Sequence, residues 1–453
     1  MSKPMARGRR AIVIGGSIAG LAAARVLSDH YDEVVLFERD RIAGGAEPRR
    51  GAPQGRHLHA LLVGGGKALE TYFPGLLDEG TRAGGFRVDL LNDIHRWYEG
   101  GEHVRGRSGI EGLSLSRPRL EYLIRDRVRR ITNIRFLHDR GIKGIVATAD
   151  NRRVAGVTTD DGAVSADLTV DATGRGSRSP RWLEAMGYGP IKEERIEVDI
   201  TYVTRRFQRS PKDLEGALAA IVASTPQLRE AGIMAAQEDG HWMVTLYARC
   251  GAHVPTDLAS FIEFAGRLPT PLIHEVISRA EAIGGAETFR FPASIRRRYE
   301  DMKGFPEGYL VIGDAVSSFN PVYGQGMSVA ALEAAELGRL LHEGSTALAP
   351  KYFARISKII DTPWSIAAGN DLRFSGVAGQ RSAMGRLLNW YIAKLHVAAR
   401  QDASLALAFQ KVSNLISPPR SLFAPRVVGR VMAAMLSRPA RRRPVRIGPP
   451  APA

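Results

Sequence analysis

A glycine-rich turn near the start of the chain constrains the fold more than any other feature. The turn reads Gly15-Gly16-Ser17-Ile18-Ala19-Gly20; an apolar run that begins at Ala11 precedes it, and a helix-forming run follows it. A second strand-like run then ends at Glu38. Strand, turn, helix and strand in this order predict a parallel βαβ unit with a right-handed crossover. We therefore expect an α/β protein with a doubly wound parallel sheet.

The same turn has the residue types needed to hold a pyrophosphate. Gly15, Gly16 and Gly20 let the backbone approach an anion, and the N–H groups at the start of the following helix point toward it. Ser17 replaces the middle glycine of the usual fingerprint with a small residue that can donate a hydrogen bond. Glu38 lies where a carboxylate can accept both hydroxyls of an adenosine ribose. These residues predict a Rossmann-type dinucleotide site; a glycine turn with a surface glutamate is the plain structural alternative.

A second motif lies far downstream. Residues 308–314 read as a buried strand that ends in Gly313 and Asp314, and Gly324 and Gly326 precede a long helix-forming run. A carboxylate at Asp314 can accept a hydrogen bond from a flavin ribityl hydroxyl. N–H groups at the start of the helix would stabilise negative charge on a reduced flavin. The two glycine clusters together predict FAD bound between them.

The pattern along the chain predicts a domain order. Its length favours two or three packed units over one core. Residues 8–190 and 293–345 are expected to form a discontinuous FAD-binding domain, and residues 191–292 an inserted α+β substrate-binding sheet domain. Residues 346–436 read as a C-terminal helical region, and residues 437–453 as a basic, Pro-rich disordered tail.

Cysteine and histidine content limits the chemistry. Cys250 is the single cysteine, so neither an intramolecular disulfide nor a cysteine-based metal site is available. His57 and His59 would point to opposite faces of a strand, and no carboxylate cluster completes a metal site. We expect no metal and interpret both as loop residues near the flavin. Without a signal peptide or an apolar run of membrane-spanning length, a cytoplasmic location is expected.

The formal net charge of +16 raises the question of a nucleic-acid partner. Most arginines are scattered, and no basic stripe studded with aromatic residues occurs, so we expect no nucleic-acid binding. Part of the excess lies in the tail, which follows the apolar stretch Val427 to Leu436. At most, this end of the chain is expected to make peripheral membrane contact.

Taken together, the motifs resemble class A flavoprotein monooxygenases, the p-hydroxybenzoate hydroxylase-like group. The resemblance covers roughly Ala11 to Leu340. Within this group the sequence most resembles the flavin epoxidases of polyether antibiotic biosynthesis, which epoxidise isolated alkenes of polyketide chains. The segments that carry this closer resemblance are PRRGAPQGRHLHALLVGGG, LSRPRLEYLI, VDATGRGSRSP and GDAVSSFNPVYGQGMS. Because these motifs surround the cofactor, they are specific for the flavin fold and say less about the substrate.

The resemblance implies a set of FAD-binding residues. Arg49 would contact the pyrophosphate or adenosine, and Arg117 would touch FAD from a helix start; for both, a surface salt bridge is the alternative. Asp314 would bind the ribityl chain. The other residues implied at the cofactor are Gly15, Gly16, Ser17, Gly20, Glu38, Asp171, Gly174 and Gly313, with Pro321, Gly324, Gly326 and Met327 beside the isoalloxazine.

The resemblance also implies a reaction. NAD(P)H would reduce FAD, O2 would form a flavin C4a-hydroperoxide, and one oxygen atom would pass to an alkene of an apolar polyketide or terpenoid intermediate. No catalytic side chain is assigned, because the flavin carries the chemistry. The protein would hold the small organic substrate and exclude water. Whether a separate flavin reductase or a carrier protein takes part stays open.

Three other functions stay open. An aromatic hydroxylase of the same class would need a base or donor poised at a phenol. A flavin-dependent alkene reductase would share the cofactor motifs but transfer hydride without O2. A non-catalytic lipid-binding relative would need no flavin. A flavin halogenase is disfavoured, because the sequence contains no Trp-x-Trp-x-Ile-Pro segment.

Overall fold

The computed structural model describes residues 8–42, 44–379 and 381–436. The strands in chain order are β1 Gly8–Ile14, β2 Tyr31–Phe37, β3 Phe86–Asp89, β4 Ile94–Tyr98, β5 Gly101–Glu102, β6 Glu111–Ser114, β7 Ile134–Leu137, β8 Gly144–Ala147, β9 Val154–Thr159, β10 Gly162–Ser165, β11 Leu168–Asp171, β12 Glu193–Gln208, β13 Ala219–Val222, β14 Glu230–Gln237, β15 His241–Ala248, β16 Ala282–Arg297, β17 Tyr309–Val311 and β18 Ser317–Ser318.

The α-helices alternate with these strands in the first part of the chain and follow them in the last part. They are α1 Ile18–Ser28, α2 Val63–Tyr72, α3 Leu76–Arg82, α4 Arg117–Arg129, α5 Ser179–Ala185, α6 Leu258–Gly266, α7 Leu272–Ile277, α8 Gly326–His342, α9 Leu348–Asp371, α10 Ala383–Ala398, α11 Ala403–Ser413 and α12 Pro425–Leu436.

A parallel sheet of order β17-β11-β1-β2-β7 forms one half of the fold. In its register Ile14 lies beside both Phe37 and Asp171. The carboxyl ends of β1, β2 and β11 therefore meet at one edge, which is where ligands bind in sheets of this kind. Side chains of α1 and α8, including Val26 and Leu337, join those of the sheet in one buried core. This architecture confirms the predicted α/β class.

An eight-stranded mixed sheet of order β18-β16-β12-β15-β14-β13-β4-β5 forms the second half. Its long central strands, β12 and β16, pair antiparallel. Three strands come from outside the predicted insert, since β4 pairs with β13, β5 with β4 and β18 with β16. The predicted boundaries at 191 and 292 are therefore too narrow: residues 94–102 and part of the strand after 292 belong to this sheet, because sheet membership is decided by long-range pairing.

The C-terminal helical region is present as predicted. The long helix α9 packs against the core through Tyr352, Phe353 and Ile356. Helices α10, α11 and α12 share a smaller core of their own that includes Tyr391 and Leu395. The predicted basic tail, 437–453, lies outside the described residues. Among those described, no helix is long and apolar enough to cross a bilayer.

Candidate flavin-binding site

The first glycine turn leaves no room for side chains. Gly15 has φ +105°, and a Cβ there would lie 2.6 Å from the carbonyl oxygen of Ala172. A Cβ on Gly20 would lie 1.8 Å from the carbonyl oxygen of Gly15. The turn is therefore closed by backbone packing, and the start of α1 faces the edge of the sheet. Ser17 does not cap α1 with its side chain; its hydroxyl instead donates to Glu121 at 2.8 Å.

Glu38 lies directly after β2 and is 4% exposed. Its carboxylate accepts hydrogen bonds from the backbone N–H of Gly16 at 2.8 Å and of Asp40 at 2.9 Å. Arg49 forms an ion pair with it at 3.0 Å. A carboxylate has about four acceptor positions, so Glu38 keeps capacity for a ribose hydroxyl while it fixes the turn.

Arg49 is held by three carboxylates. Its guanidinium lies 2.6 Å from Glu121, 3.0 Å from Glu38 and 3.1 Å from Asp40. Burial alone would lower the pKa of Arg49, but the three carboxylates raise it overall. The residue is thus a fixed cation on the wall of the cleft. The sequence did not predict a role for Glu121. A glutamate on a helix with many arginines is expected to lie on its solvent-exposed side.

Arg117 begins α4, where Ser116 caps the helix by accepting a hydrogen bond from Arg119 N. The Arg117 guanidinium donates to Ser17 Oγ at 3.2 Å and to His59 Nε2 at 3.3 Å. Its Nε is buried and has no hydrogen-bonding partner among the described residues. Burial lowers the pKa of Arg117. A buried cation with a spare donor beside the glycine turn is suited to an anionic or carbonyl group of a ligand.

The rings of His57 and His59 are hydrogen-bonded to neighbouring groups of the protein. Nδ1 of His59 donates to the carbonyl oxygen of His57 at 2.9 Å, which leaves Nε2 to accept from Arg117. Burial, with Arg117 nearby, lowers the pKa of His59 to about 3. Burial lowers the pKa of His57 to about 4. Both rings are therefore neutral at pH 7, and within the described ranges no cluster of three or more ligating side chains could hold a metal ion.

Asp171 does not reach the cleft, which corrects its predicted role as a cofactor contact. It is fully buried, and its carboxylate accepts hydrogen bonds from Thr173 N at 2.8 Å and from Ser177 Oγ at 2.6 Å. These bonds fix the loop that follows β11. Gly174 does lie on the cleft wall. So does Arg175, whose guanidinium stacks 4.9 Å from the centre of the Phe291 ring.

Asp314 is the second acidic residue on the cleft wall. Burial raises its pKa, while Arg117 and Arg175 oppose that rise. A Cβ on Gly326, the first residue of α8, would lie 3.5 Å from Asp314 Oδ1, so the helix start adjoins this carboxylate. Gly313 itself is buried, and its N–H donates to Glu333 at 2.6 Å. Like Gly20, it serves packing, because neither glycine lies on the wall.

The segment predicted to lie beside the isoalloxazine forms the far wall of the same cleft, with Pro321, Gly324, Gly326 and Met327 on its surface. Gly324 has φ +64°, a conformation that favours glycine. Asn320 fixes the preceding turn, since its side chain accepts a hydrogen bond from Val322 N.

A buried polar network behind this segment was missed by sequence reasoning. Arg249, at the end of β15, forms a 2.6 Å ion pair with Asp371, at the end of α9. The same carboxylate accepts hydrogen bonds from Asn320 at 3.1 Å and from Tyr323 at 2.6 Å. Tyr202 donates to Asn320 at 2.7 Å. The network ties the eight-stranded sheet and α9 to residues 320–323, and no local sequence pattern predicts an ion pair between elements so far apart in the chain.

One cavity of about 590 Å³ joins the two motifs. Glu38 and the first glycine turn line one part of it, and Asp314 and residues 320–327 line another. Aromatic side chains of Trp182, Phe289 and Phe319 supply apolar wall. The residues present fit FAD, because the buried Nε of Arg117 and the buried Oε1 of Gln325, both in cavity-lining residues, lack partners in the described part of the chain.

Comparisons with known proteins agree with this architecture. No family model matches the sequence. The chain is 32% identical over 449 residues to Protein Rv3254 of Mycobacterium tuberculosis, covering 93% of each chain. It is 25% identical to the FAD-dependent monooxygenase ausM of Aspergillus calidoustus, covering 74% of this chain and 71% of the relative. The solved structure of pqsL, a probable FAD-dependent monooxygenase from Pseudomonas aeruginosa, matches with TM-score 0.62 and 17% identity, covering 82% of this chain and 99% of the other.

The fold and the cleft thus define the class: a protein with the α/β architecture of FAD-dependent monooxygenases. The sequence identity to Protein Rv3254, which extends over nearly the whole chain, also shows the family. The chain belongs to the family that includes Protein Rv3254.

Proposed function

We propose that this protein is an FAD-dependent monooxygenase that inserts one oxygen atom from O2 into an apolar natural-product intermediate, by epoxidation of an alkene of a polyketide or terpenoid. The observation that carries the proposal is the cavity in which Glu38 and Asp314, far apart in the chain, line the same space. Such a cavity suits a long dinucleotide with one end at each acid. If the two glycine clusters were only structural turns, they would not need to line the same cavity.

Each end of the cleft would bind a different part of FAD. Glu38 would accept hydrogen bonds from the adenosine ribose, and the start of α1 would face the pyrophosphate. Asp314 would accept from the ribityl chain, and the start of α8 would lie at the flavin ring. Arg117, with its spare Nε, would donate to an oxygen of the cofactor between these positions. When reduced by NAD(P)H, bound FAD would supply the electrons that activate O2 and would mediate transfer of one of its oxygen atoms.

The side chains near the flavin end would bind and orient the substrate rather than exchange protons with it. Phe289, Phe291 and Phe319 offer apolar and aromatic surface, which suits an alkene better than a charged ligand. His59 is neutral and engaged on both ring nitrogens, so it is poorly placed to act as a base on a phenol. The buried network at Asp371 would keep residues 320–327 fixed while the substrate excludes water from the cleft.

The test is an aerobic incubation of the holoenzyme with NADH or NADPH under 18O2, with polyenes, phenols and quinols offered separately and the products analysed by mass. Incorporation of one 18O atom into an epoxide of a polyene is the expected result. Incorporation into a phenol or quinol instead would make the protein an aromatic hydroxylase. Product formed without O2 would indicate an alkene reductase, and a purified protein that binds no flavin would indicate the lipid-binding alternative.

A further inference from the structure

Large apolar side chains are exposed on one part of the molecule far more than elsewhere. In the described ranges, ten large apolar residues are exposed, and nine of them lie in the C-terminal helical region; Leu258 is the tenth. We call these nine the C-terminal apolar face: Met384, Leu387, Leu388, Trp390, Val397, Phe423, Met432, Met435 and Leu436. Scattered surface apolar residues are ordinary, but a concentration of this kind marks an interaction surface.

The face follows from how α10 and α12 pack. Their inward sides meet in a small core that contains Tyr391, Leu395 and Val431, so their outward sides are left uncovered. Met432, Met435 and Leu436 are spaced as neighbours on one side of α12. Leu436 is 85% exposed. The same spacing recurs in Met384, Leu387 and Leu388 on α10.

Charge in this region is strongly one-sided. Residues 381–453 contain thirteen Lys and Arg and a single acid, Asp402, so they carry twelve of the sixteen net positive charges of the whole chain. Asp402 itself is paired with Arg430 at 2.8 Å. Eight of the thirteen lie in residues 381–436, and the other five are arginines at 438, 441, 442, 443 and 446.

We propose that the C-terminal apolar face binds the surface of an anionic lipid bilayer. Amphipathic helices with basic flanks lie in the interface with their apolar sides buried, and anionic lipids attract nearby Lys and Arg. No described helix can span the bilayer, so the contact is peripheral. A second copy of the chain is a poor occupant, because two copies of this strongly basic region would repel each other. The tail cannot cover the face either, since its large apolar residues are only Val445 and Ile447.

The bilayer would lie next to the cleft. Asn389 of α10 donates a hydrogen bond to the carbonyl oxygen of Gly369 at 3.0 Å. The adjacent Asn370 donates to the hydroxyl of Tyr323, in the segment that forms the cleft wall, at 2.9 Å. If α10 lies on a membrane, the cleft wall formed by residues 320–327 is therefore close to the bilayer, in which apolar substrates dissolve.

Vesicle cosedimentation tests the proposal without relying on enzyme activity. The full-length protein is mixed with vesicles of equimolar phosphatidylcholine and phosphatidylglycerol, or with vesicles of phosphatidylcholine alone. Strong binding to the anionic vesicles at low salt is expected, with weak binding to the neutral ones. The combined variant Met432→Ser, Met435→Ser, Leu436→Ser should bind about tenfold less, because apolar burial and charge both contribute. Leu258→Ser removes the exposed leucine outside the face and should bind like wild type.

Three outcomes would overturn the proposal. One is no binding to anionic vesicles by the wild-type protein. Another is equal binding by the wild-type protein and the combined variant. The third is a concentration-dependent dimer in light scattering that the combined variant abolishes, which would assign the face to a second copy. Because the readout is vesicle binding, the absence of monooxygenase turnover would leave this result unaffected.

Discussion

Arg249 and Asp371 form an ion pair of 2.6 Å that is almost completely closed to solvent, with side chains 1% and 0% exposed. The pair joins the end of β15, a central strand of the eight-stranded sheet, to the end of the long helix α9. Asn320 and Tyr323 share the same carboxylate. The position of the cleft wall therefore depends on a contact between elements that lie far apart in the chain.

Replacing Asp371 should destabilise the protein and loosen the cleft wall. Asp371→Asn leaves the Arg249 charge buried without its partner, which typically costs about 3–5 kcal/mol. The free energy of unfolding, from chemical denaturation, measures the effect. Asp361→Asn on the same helix is the control, because Asp361 is exposed and its partner Arg296 also pairs with Glu300. Similar stability losses in the two variants would contradict the importance of the buried pair.

The first glycine turn should tolerate no side chain at its tightest point. A Cβ on Gly20 would lie 1.8 Å from the carbonyl oxygen of Gly15. Gly20→Ala should therefore displace the start of α1 and sharply reduce FAD affinity, measured by flavin fluorescence titration of the purified apoprotein. Gly44→Ala, where a Cβ meets nothing within 4 Å, serves as the matched control. Wild-type affinity in Gly20→Ala would show that the turn does not form the cradle.

Glu333 should make stability depend on pH. Burial raises its pKa to about 8, despite a hydrogen bond from Gly313 N–H. A carboxyl whose pKa is raised on folding contributes stability below its unfolded pKa, and that stability is lost as the pH rises through about 8. Each unit of pKa difference corresponds to about 1.4 kcal/mol. The melting temperature of the wild-type protein should fall between pH 5 and pH 9. The melting temperature of Glu333→Gln should fall less over the same range.

The same comparison supplies the contradicting result. If Glu333→Gln and the wild-type protein lose the same number of degrees across this pH range, Glu333 is ionised without penalty in the folded state. Glu343→Gln on the same part of the chain is a suitable reference, because this exposed carboxylate is paired with Arg355 and its pKa is lowered.

Glu38 should affect cofactor binding without affecting substrate choice. Glu38→Ala removes the acceptor proposed for the adenosine ribose and also the bond to Gly16 N–H, so FAD should bind more weakly. The ranking of substrates should stay unchanged, because Glu38 is proposed to contact the adenosine and not the substrate. Glu33→Gln, in the strand β2 that precedes Glu38, removes a carboxylate that pairs with Arg10 and should bind FAD like wild type. Unchanged FAD affinity in Glu38→Ala would argue against the assignment.

Local patterns in the sequence predicted the cofactor half well. The order of strand, glycine turn, helix and acid placed Gly15 and Glu38 at the sheet edge, and the later strand delivered Asp314 to the same cleft. These features are short-range, since each is encoded within a few residues of a turn. The resemblance of the same motifs to class A flavoprotein monooxygenases identified the other wall residues, Pro321, Gly324, Gly326 and Met327.

What the sequence did not predict depends on long-range packing. β4 joins the large sheet through a pairing with β13, and nothing near residue 94 indicates that partner. Asp171 looked like a cofactor ligand, but its carboxylate turns inward to hydroxyl and N–H groups of its own loop. The carboxylates around Arg49 and the pair at Asp371 likewise appear only when distant elements meet.

FAD titration of the Asp314→Ala variant is the most direct test of the central claim, that one flavin dinucleotide lies between Glu38 and Asp314. The apoprotein would be titrated with FAD, followed by flavin fluorescence, beside the wild-type protein and an Asp301→Ala control at the surface. A large loss of affinity in Asp314→Ala alone, with loss of flavin-dependent turnover, is the predicted result. Full FAD occupancy with unchanged turnover in Asp314→Ala would contradict the claim.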